Sequence, residues 1–256
     1  MKCLRFRLET PYLVNFRKPF STISILSYPF PPYTTIRGLL ANALGLKVDD
    51  YSLQEKFEIS LKPLSVAERT QDMVLMKKLK PPANAKKIKE LMKKLDENGL
   101  PELTEKEKKL YEELKKPQST SAPFVKEFIT PIVCSVYVLG EEEDLNELKG
   151  ALENPARPLY LGASDDFIII FDLKVVDSKE VKSDEVDSIV RINGEVQPMD
   201  KKRIVGRIPY KFKAINIGRR DYSREDVVVA APEPNEKVKL NNAIECYDVE
   251  GEYVAF

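Results

Sequence analysis

The stretch Cys3–Phe16, CLRFRLETPYLVNF, opens on strict alternation, with Leu4, Phe6 and Leu8 against Arg5 and Arg7. Alternation of this kind is the period of a half-buried strand, so the two arginines share the face turned away from the core. Beyond a proline-rich passage, SYPFPPYTT (residues 27–35), the apolar residues Ile36, Leu39, Leu40, Ala43 and Leu44 recur at helical spacing. Thr34 or Thr35 can cap this helix, and Gly45 can end it. LKPLSVAERTQDMVLMKKL (61–79) and FVKEFITPIVCSVYVLG (124–140) read as two long strands. EEEDLNELKGALENP then places acids at a helix start, where the dipole favours them, with Leu145, Leu148 and Leu152 on one face. RPLYLGASDDFIIIFDLKVV returns the chain to strand.

The order strand, helix, strand, strand, helix, strand is the βαββαβ pattern of a ferredoxin-like α+β fold, ending near Val176. Between the two long strands, residues 80–122 have a different character, with prolines at both ends and thirteen Lys or Arg in the wider span 77–116. Ile88, Leu91, Met92 and Leu95 keep helical spacing, Gly99-Leu100-Pro101 breaks the run, and Thr104-x-x-Glu107 matches a capping box. An inserted helical hairpin is expected there. Residues 177–256 carry short apolar runs separated by turn residues such as Asn193-Gly194, the pattern of a β-rich C-terminal subdomain following a first domain of residues 1–176.

A chain of 256 residues with 43% hydrophobic and 9% aromatic content is that of a packed protein. No segment approaches the roughly 18 uninterrupted apolar residues of a spanning helix, and MKCLRFRLET lacks a signal peptide's apolar core, so a cytoplasmic protein is expected. The 32% charged content, mostly Lys and Glu, suits a thermophile. The 41 basic and 41 acidic residues cancel, but they are unevenly distributed. Residues 1–47 hold seven bases against one acid, residues 201–224 nine against one, and residues 141–195 fifteen acids against six bases. Such blocks suit an anion on one face and basic protein partners on another.

Histidine is absent, which removes the commonest general base and neutral metal ligand. No cofactor or metal is expected. Neither G-x-G-x-x-G nor a phosphate-binding G-x-x-x-x-G-K-[ST] loop occurs. Asp165-Asp166 reads as a surface turn rather than an ion site. Cys3, Cys134 and Cys246 form no C-x-x-C pair and sit in apolar settings typical of buried thiols. What remains is a basic, aromatic-rich start in which Arg5, Arg7, Arg17, Lys18 and Arg37 are interleaved with Tyr12, Phe16, Tyr28 and Tyr33. Guanidinium forks hold phosphates and aromatic faces stack on unpaired bases, so single-stranded RNA fits, although the aromatics equally suit a core. The helix beginning near Thr35 adds free backbone N–H groups.

The segment Asn15–Gly45, NFRKPFSTISILSYPFPPYTTIRGLLANALG, resembles the start of the CRISPR-associated Cas family five of the RAMP superfamily. In that family a strand and an F-R-x-P-like loop lead to a T/S-Y-x-x-P-P-x-S/T-x-x-G-L-L turn and the first helix. RPLYLGASDD (Arg157–Asp166) resembles the family's P-x-Y-L-G segment. The resemblance implies an RRM-like ferredoxin fold whose insertion, here residues 80–122, acts as a thumb. It implies a non-catalytic subunit of a type I Cascade complex that grips the five-prime handle of the guide RNA and caps the backbone filament. The partners implied are the guide RNA, the repeated backbone subunit and the large subunit. Carried over by position, the RNA-binding residues are Asn15, Phe16, Arg17 and Lys18 in the loop, and Tyr33, Thr34, Thr35 and Arg37 at the helix start. Arg69 and Gln71 fall at the thumb base, and Arg219 and Arg220 stand, with Gly218, in the place of a Gly-rich RNA-facing loop. Some relatives cut precursor guide RNA with a Tyr, Lys and His constellation, from which this chain departs in having no histidine. Metal-independent endoribonuclease activity is the alternative reading, and a purely protein-binding scaffold a second one.

Overall fold

The computed structural model describes residues 1–18, 24–47, 50, 52–79, 90, 104–109, 119–216, 219–221 and 226–256. The chain divides into two compact units, Met1–Gln71 with Glu127–Phe256, and Asp72–Lys126. In chain order the strands are β1 (Lys2–Thr10), β2 (Ser24–Ile25), β3 (Glu58–Pro63), β4 (Glu68–Leu79), β5 (Ser119–Thr130), β6 (Ile132–Gly140) and β7 (Ile169–Val186). They continue as β8 (Val190–Ile192), β9 (Ile204–Pro209), β10 (Lys213–Asn216), β11 (Arg219–Asp221), β12 (Asp226–Ala230), β13 (Val238–Val249) and β14 (Glu252–Val254). The helices that shape the first unit are α1 (Tyr33–Ala43), α2 (Ser52–Lys56) and α3 (Glu142–Glu153).

The main sheet is antiparallel, in the order β14-β13-β7-β1-β6-β3. β1 lies inside it, with Leu4 opposite both Val138 and Val175, and Leu8 opposite Cys134 and Ile170. Leu4, Phe6 and Leu8 are fully buried in one core cluster with Ile36, Leu39 and Leu40 of α1 and Leu145 and Leu148 of α3. The helix faces expected from spacing are thus the buried ones, and three acids, Glu142, Glu143 and Asp144, occupy the first turn of α3.

The two long strands expected at 61–79 and 124–140 each break in two. β3 ends at Pro63 and β4 starts at Glu68, while Pro131 separates β5 from β6. Proline donates no N–H to a ladder, so a strand reaching one tends to end. β3 and β6 then pair in the main sheet, whereas β4 and β5 belong to a separate sheet of order β2-β5-β4. The expected helical hairpin at 80–122 lies mostly outside the described residues. Its capping box is described: Thr104 N donates to the Glu107 carboxylate at 2.9 Å and Glu107 N to the Thr104 hydroxyl at 3.4 Å.

β7 runs 18 residues without a break through Val176, where the first domain was expected to end, and β13 pairs along its second half. The C-terminal region is β-rich, with β8-β12-β9 forming a sheet of their own around a small core of Val190, Ala230, Val238 and Leu240. Among the described residues no helix is long and apolar enough to cross a membrane.

On the β1 face opposite the helices, charges close on one another. Arg5 reaches Glu250 at 2.5 Å, Lys174 reaches Glu250 at 3.0 Å, Lys62 reaches Glu252 at 2.8 Å and Asp187 at 3.3 Å, and Arg7 lies 3.4 Å from Asp172. The Tyr137 hydroxyl donates to Glu252. Burial pushes the Glu252 carboxyl up most strongly, but hydrogen bonds from Lys62 and Tyr137 and the charges of Lys62 and Arg5 together hold it below its ordinary 4.5.

Two outcomes are expected in urea unfolding. Phe6→Ala or Leu40→Ala, each emptying a fully buried site, costs about 2–5 kcal/mol. A carboxylate depressed in the folded state adds stability above its unfolded pKa and loses it as pH falls through the folded value. Glu252→Gln is therefore less stable than the parent at neutral pH, and the gap narrows as pH drops below 4.5. A gap that is the same at every pH refutes the charge assignment.

Candidate nucleic-acid interface

Tyr33 begins α1 and Pro32 is its N-cap, with no side-chain cap hydrogen bond and no acid in the first turn. Neither Thr34 nor Thr35 caps the helix as expected, because the helix starts one turn-position too early for their hydroxyls to precede it. Thr35 N and Ile36 N donate to Pro32 O at 2.9 and 3.1 Å. The positive end of the helix thus carries no side-chain compensation from its own turn.

Tyr33 is buried and meets the Tyr210 ring edge-on, with centroids 5.1 Å apart. Arg37 is not a surface cation: it is 3% exposed. Its Nη1 donates to Tyr210 O, and its guanidinium lies 4.9 Å from the Tyr210 ring centroid. Nε and Nη2 are buried without a hydrogen-bond partner. Burial lowers the Arg37 pKa, with partial compensation from Tyr210 and Glu58. Arg191 and Lys211 also face that ring, at 4.7 and 5.4 Å, while the Tyr210 hydroxyl donates to Glu58.

The loop Asn15–Lys18 is pinned from inside. Asn15, also buried, donates from Nδ2 to Glu127 O at 2.6 Å, and Phe16 N donates to the Ser27 hydroxyl at 2.9 Å. Phe16 is 3% exposed, whereas Arg17 is exposed and Lys18 half-buried. The Lys18 ammonium stands 5.5 Å from the Tyr28 ring centroid. Arg69 is tied to the Glu127 carboxylate at 3.1 Å, and the same carboxylate accepts from Ser27 N at 2.7 Å. Gln71 is exposed. Arg219 and Arg220 contribute backbone to β11, paired with β10, and Gly218 lies outside the described residues.

The two sequence segments that stood far apart meet here. Gly162 adopts φ +105°, and a Cβ on it would sit 3.0 Å from the Asp166 carboxylate, 3.4 Å from Asn15 O and 3.7 Å from the Phe16 ring. Arg157 donates to Gly45 O and Leu46 O, both at 3.0 Å, and Asn42 Nδ2 donates to Pro158 O at 2.5 Å, so RPLYLG also closes the C-terminal end of α1. Gly45, at φ +69°, ends the helix as expected. Asp166 accepts from Ala163 N at 2.9 Å, the turn expected for Asp165-Asp166.

A cavity of about 350 Å³ opens beside this junction, lined among others by Thr35, Arg37 and Gly38 of α1, Gln54 of α2, Tyr160 and Phe212. Gln54 is clamped to Phe212 by hydrogen bonds of 2.9 and 3.1 Å in opposite directions. Tyr160 sits within a quoted motif and was within reach of the sequence. Gln54, Tyr210 and Phe212 carry no local signal, because their role comes from distant chain segments packing together.

Arg5 and Arg7, expected to offer a basic face, are engaged by the chain's own acids. Cys3, Cys134 and Cys246 are free and buried, and burial pushes the Cys3 and Cys134 thiols up to about 12, as suits the inert thiols expected. Among the described residues no group of three or more His, Cys, Asp or Glu could hold a metal ion.

The family described as CRISPR-associated protein (Cas_Cas5) matches residues 3–225. No curated protein matches the sequence. Among solved structures the chain resembles one described as a CRISPR RNA-guided surveillance complex, with TM-score 0.52 and 12% identity over 94% of this chain and 91% of that one. It also resembles a CRISPR protein from Archaeoglobus fulgidus, with TM-score 0.51 and 12% identity over 99% of this chain and 98% of that one. At this identity the likeness is one of fold.

A buried guanidinium with two unmet nitrogens is a poor stabiliser, so Arg37→Met is expected to stay within about 1 kcal/mol of the parent in urea unfolding. A loss of several kcal/mol would mean that Arg37 is a structural pin.

Proposed function

The chain belongs to the CRISPR-associated Cas5 family, and from that membership we propose that it is a non-catalytic subunit of a type I RNA-guided surveillance complex, gripping the five-prime handle of the guide RNA. The observation that carries this reading is that Gly162 packs against Asn15 and Phe16 and, with Tyr160, lines the same cavity as Thr34 and Thr35 at the uncapped start of α1. Exposed Arg17 and half-buried Lys18 stand on one of these segments and Arg37 on another. Cations and helix N–H groups on neighbouring segments suit an irregular phosphate backbone better than they suit a metabolite. In this reading Arg17 and Lys18 meet phosphate, Thr34 and Thr35 the helix-end phosphate, and Arg69 and Gln71 the RNA at the root of the insertion. Asn15, Phe16 and Tyr33 hold these segments in place.

The same reading gives the chain a ferredoxin-like frame. The support is the sheet order β7-β1-β6-β3, the fourth, first, third and second strands of a βαββαβ unit, with α1 and α3 as its crossovers. The lysine-rich unit Asp72–Lys126, entered by β4 and left by β5, suits a thumb reaching over RNA toward a backbone subunit. Capping of the backbone filament and contact with the large subunit, in the cytoplasm, complete the proposal. A purely binding role is supported by the absence of histidine from the sequence. It is also supported by phenols that burial drives away from neutral pH, Tyr28 up to about 12 and Tyr33 upward as well.

The test is binding of the purified chain to RNA bearing its own repeat-derived five-prime handle, against a scrambled control, across a salt series. Selective binding is expected, with Arg17→Ala lowering the slope of log affinity against log salt by about 1 as one phosphate contact is lost. Equal binding to both RNAs, or none, refutes handle recognition by this chain alone. Incubation of repeat RNA with the protein and chelator is expected to yield no defined product, and a single product would establish the endoribonuclease reading instead.

A further inference from the structure

Glu127 of β5 holds a carboxylate where water hardly reaches, at 7% exposure. Taking a charge out of water is costly, and an ion pair recovers that cost only with good hydrogen bonding, so a buried acid is weak evidence of stabilisation. The bonds of Glu127 run instead to three separate segments. Oε1 lies 3.1 Å from Nη1 of Arg69 in β4, Oε2 accepts from Ser27 N at 2.7 Å, and the backbone carbonyl accepts from Asn15 Nδ2 at 2.6 Å. From Ser27 the connection continues into the loop. Ser27 is fully buried, and its hydroxyl accepts from Phe16 N and donates to Tyr28 O, both at 2.9 Å. Tyr28 N returns to Phe16 O at 2.8 Å, and Arg17 forms an antiparallel bridge with Ser27 itself. Asn15, Phe16 and Arg17 are therefore hung on Glu127 and Ser27, with the Arg17 side chain outside. Arg69 supplies the countercharge, so both strands that run on into the inserted unit, β4 and β5, contribute to this one cluster.

We propose that Glu127 is the positioning residue of this loop. Through Ser27 and Asn15 it fixes the backbone from which Arg17 reaches phosphate, and through Arg69 it locks that loop to the strands bordering the insertion. The inference rests on the RNA-holding reading and adds to it a residue that acts from behind the loop. Its sign is distinctive. By charge alone, removing an acid beside a phosphate chain tightens RNA binding. Removing a carboxylate that holds Arg17 in place weakens it.

The experiment compares the full chain with Glu127→Gln, Ser27→Ala, Arg17→Ala and the double variant Glu127→Gln/Arg17→Ala. Each is titrated against handle RNA by anisotropy across a salt series, with circular dichroism and melting temperature to establish that it is folded. Glutamine keeps the length and an acceptor and removes the charge that holds Arg69. Folded Glu127→Gln is expected to bind about tenfold more weakly, the scale of one lost charge-assisted hydrogen bond. Its slope of log affinity against log salt falls by about 1 as the Arg17 contact is lost. In that background Arg17→Ala costs less than about twofold, because residues acting through one network are not additive. Ser27→Ala keeps the Glu127 carboxylate but loses the hydroxyl that holds Phe16, and it is expected to weaken binding as well; it decides the matter if Glu127→Gln does not fold. A folded Glu127→Gln or Ser27→Ala that binds as tightly as the parent, or more tightly, overturns the proposal. An equal cost of Arg17→Ala in both backgrounds overturns it too, since the two residues then act independently. In either case a parent that prefers the handle leaves the RNA-holding reading standing. A parent that binds handle and scrambled RNA alike overturns handle recognition, while the Glu127→Gln comparison still decides the positioning role. A parent that binds no RNA overturns both.

Discussion

β1 is hydrogen-bonded along both edges, to β6 and to β7, with Leu4, Phe6 and Leu8 buried on one face and, on the other, buried Cys3 followed by the ion-paired Arg5 and Arg7. A slip of one residue would carry Phe6 to the charged side and Arg5 beneath the helices, so the register of the central strand is held from both faces at once. Everything that positions the candidate site follows from that. α1 packs on the side of Leu4, Phe6 and Leu8, and the loop leaving β1 reaches Gly162 with Phe16 already buried.

The opposite face explains how a chain with equal numbers of acids and bases can still present a local field. Arg5, Lys62 and Lys174 are met by Glu250, Glu252 and Asp187, so the bases of the sheet are spent internally. Arg17 is exposed away from those carboxylates, and Arg37 is buried against Tyr210 with part of its hydrogen-bonding capacity unmet. The position of a base relative to the chain's own acids, more than the total charge, decides which bases are available to an anion.

Much of this was legible in the sequence. Strict alternation identified β1, helical spacing identified the buried faces of α1 and α3, and the capping box at Thr104 and Glu107 formed as written. These signals are local, set by the two-residue period of a strand and the 3.6-residue period of a helix. Local reading ran the strands at 61–79 and 124–140 too far, since only pairing showed that β3 and β6 join one sheet while β4 and β5 join another. Nor could it show that Arg37 is buried against Tyr210, 173 residues away.

The sequence by itself determined the periods, the Gly45 end of α1 and the family motifs, because each depends on residues within a few positions of one another, and its composition alone removed histidine. Only the tertiary structure decided which arginines are neutralised, that RPLYLG closes both ends of the junction with α1 and Phe16, and that Gly38 borders a cavity. Those properties arise from pairings such as Arg5 with Glu250, 245 residues apart, and no local pattern encodes which distant surface a side chain will meet.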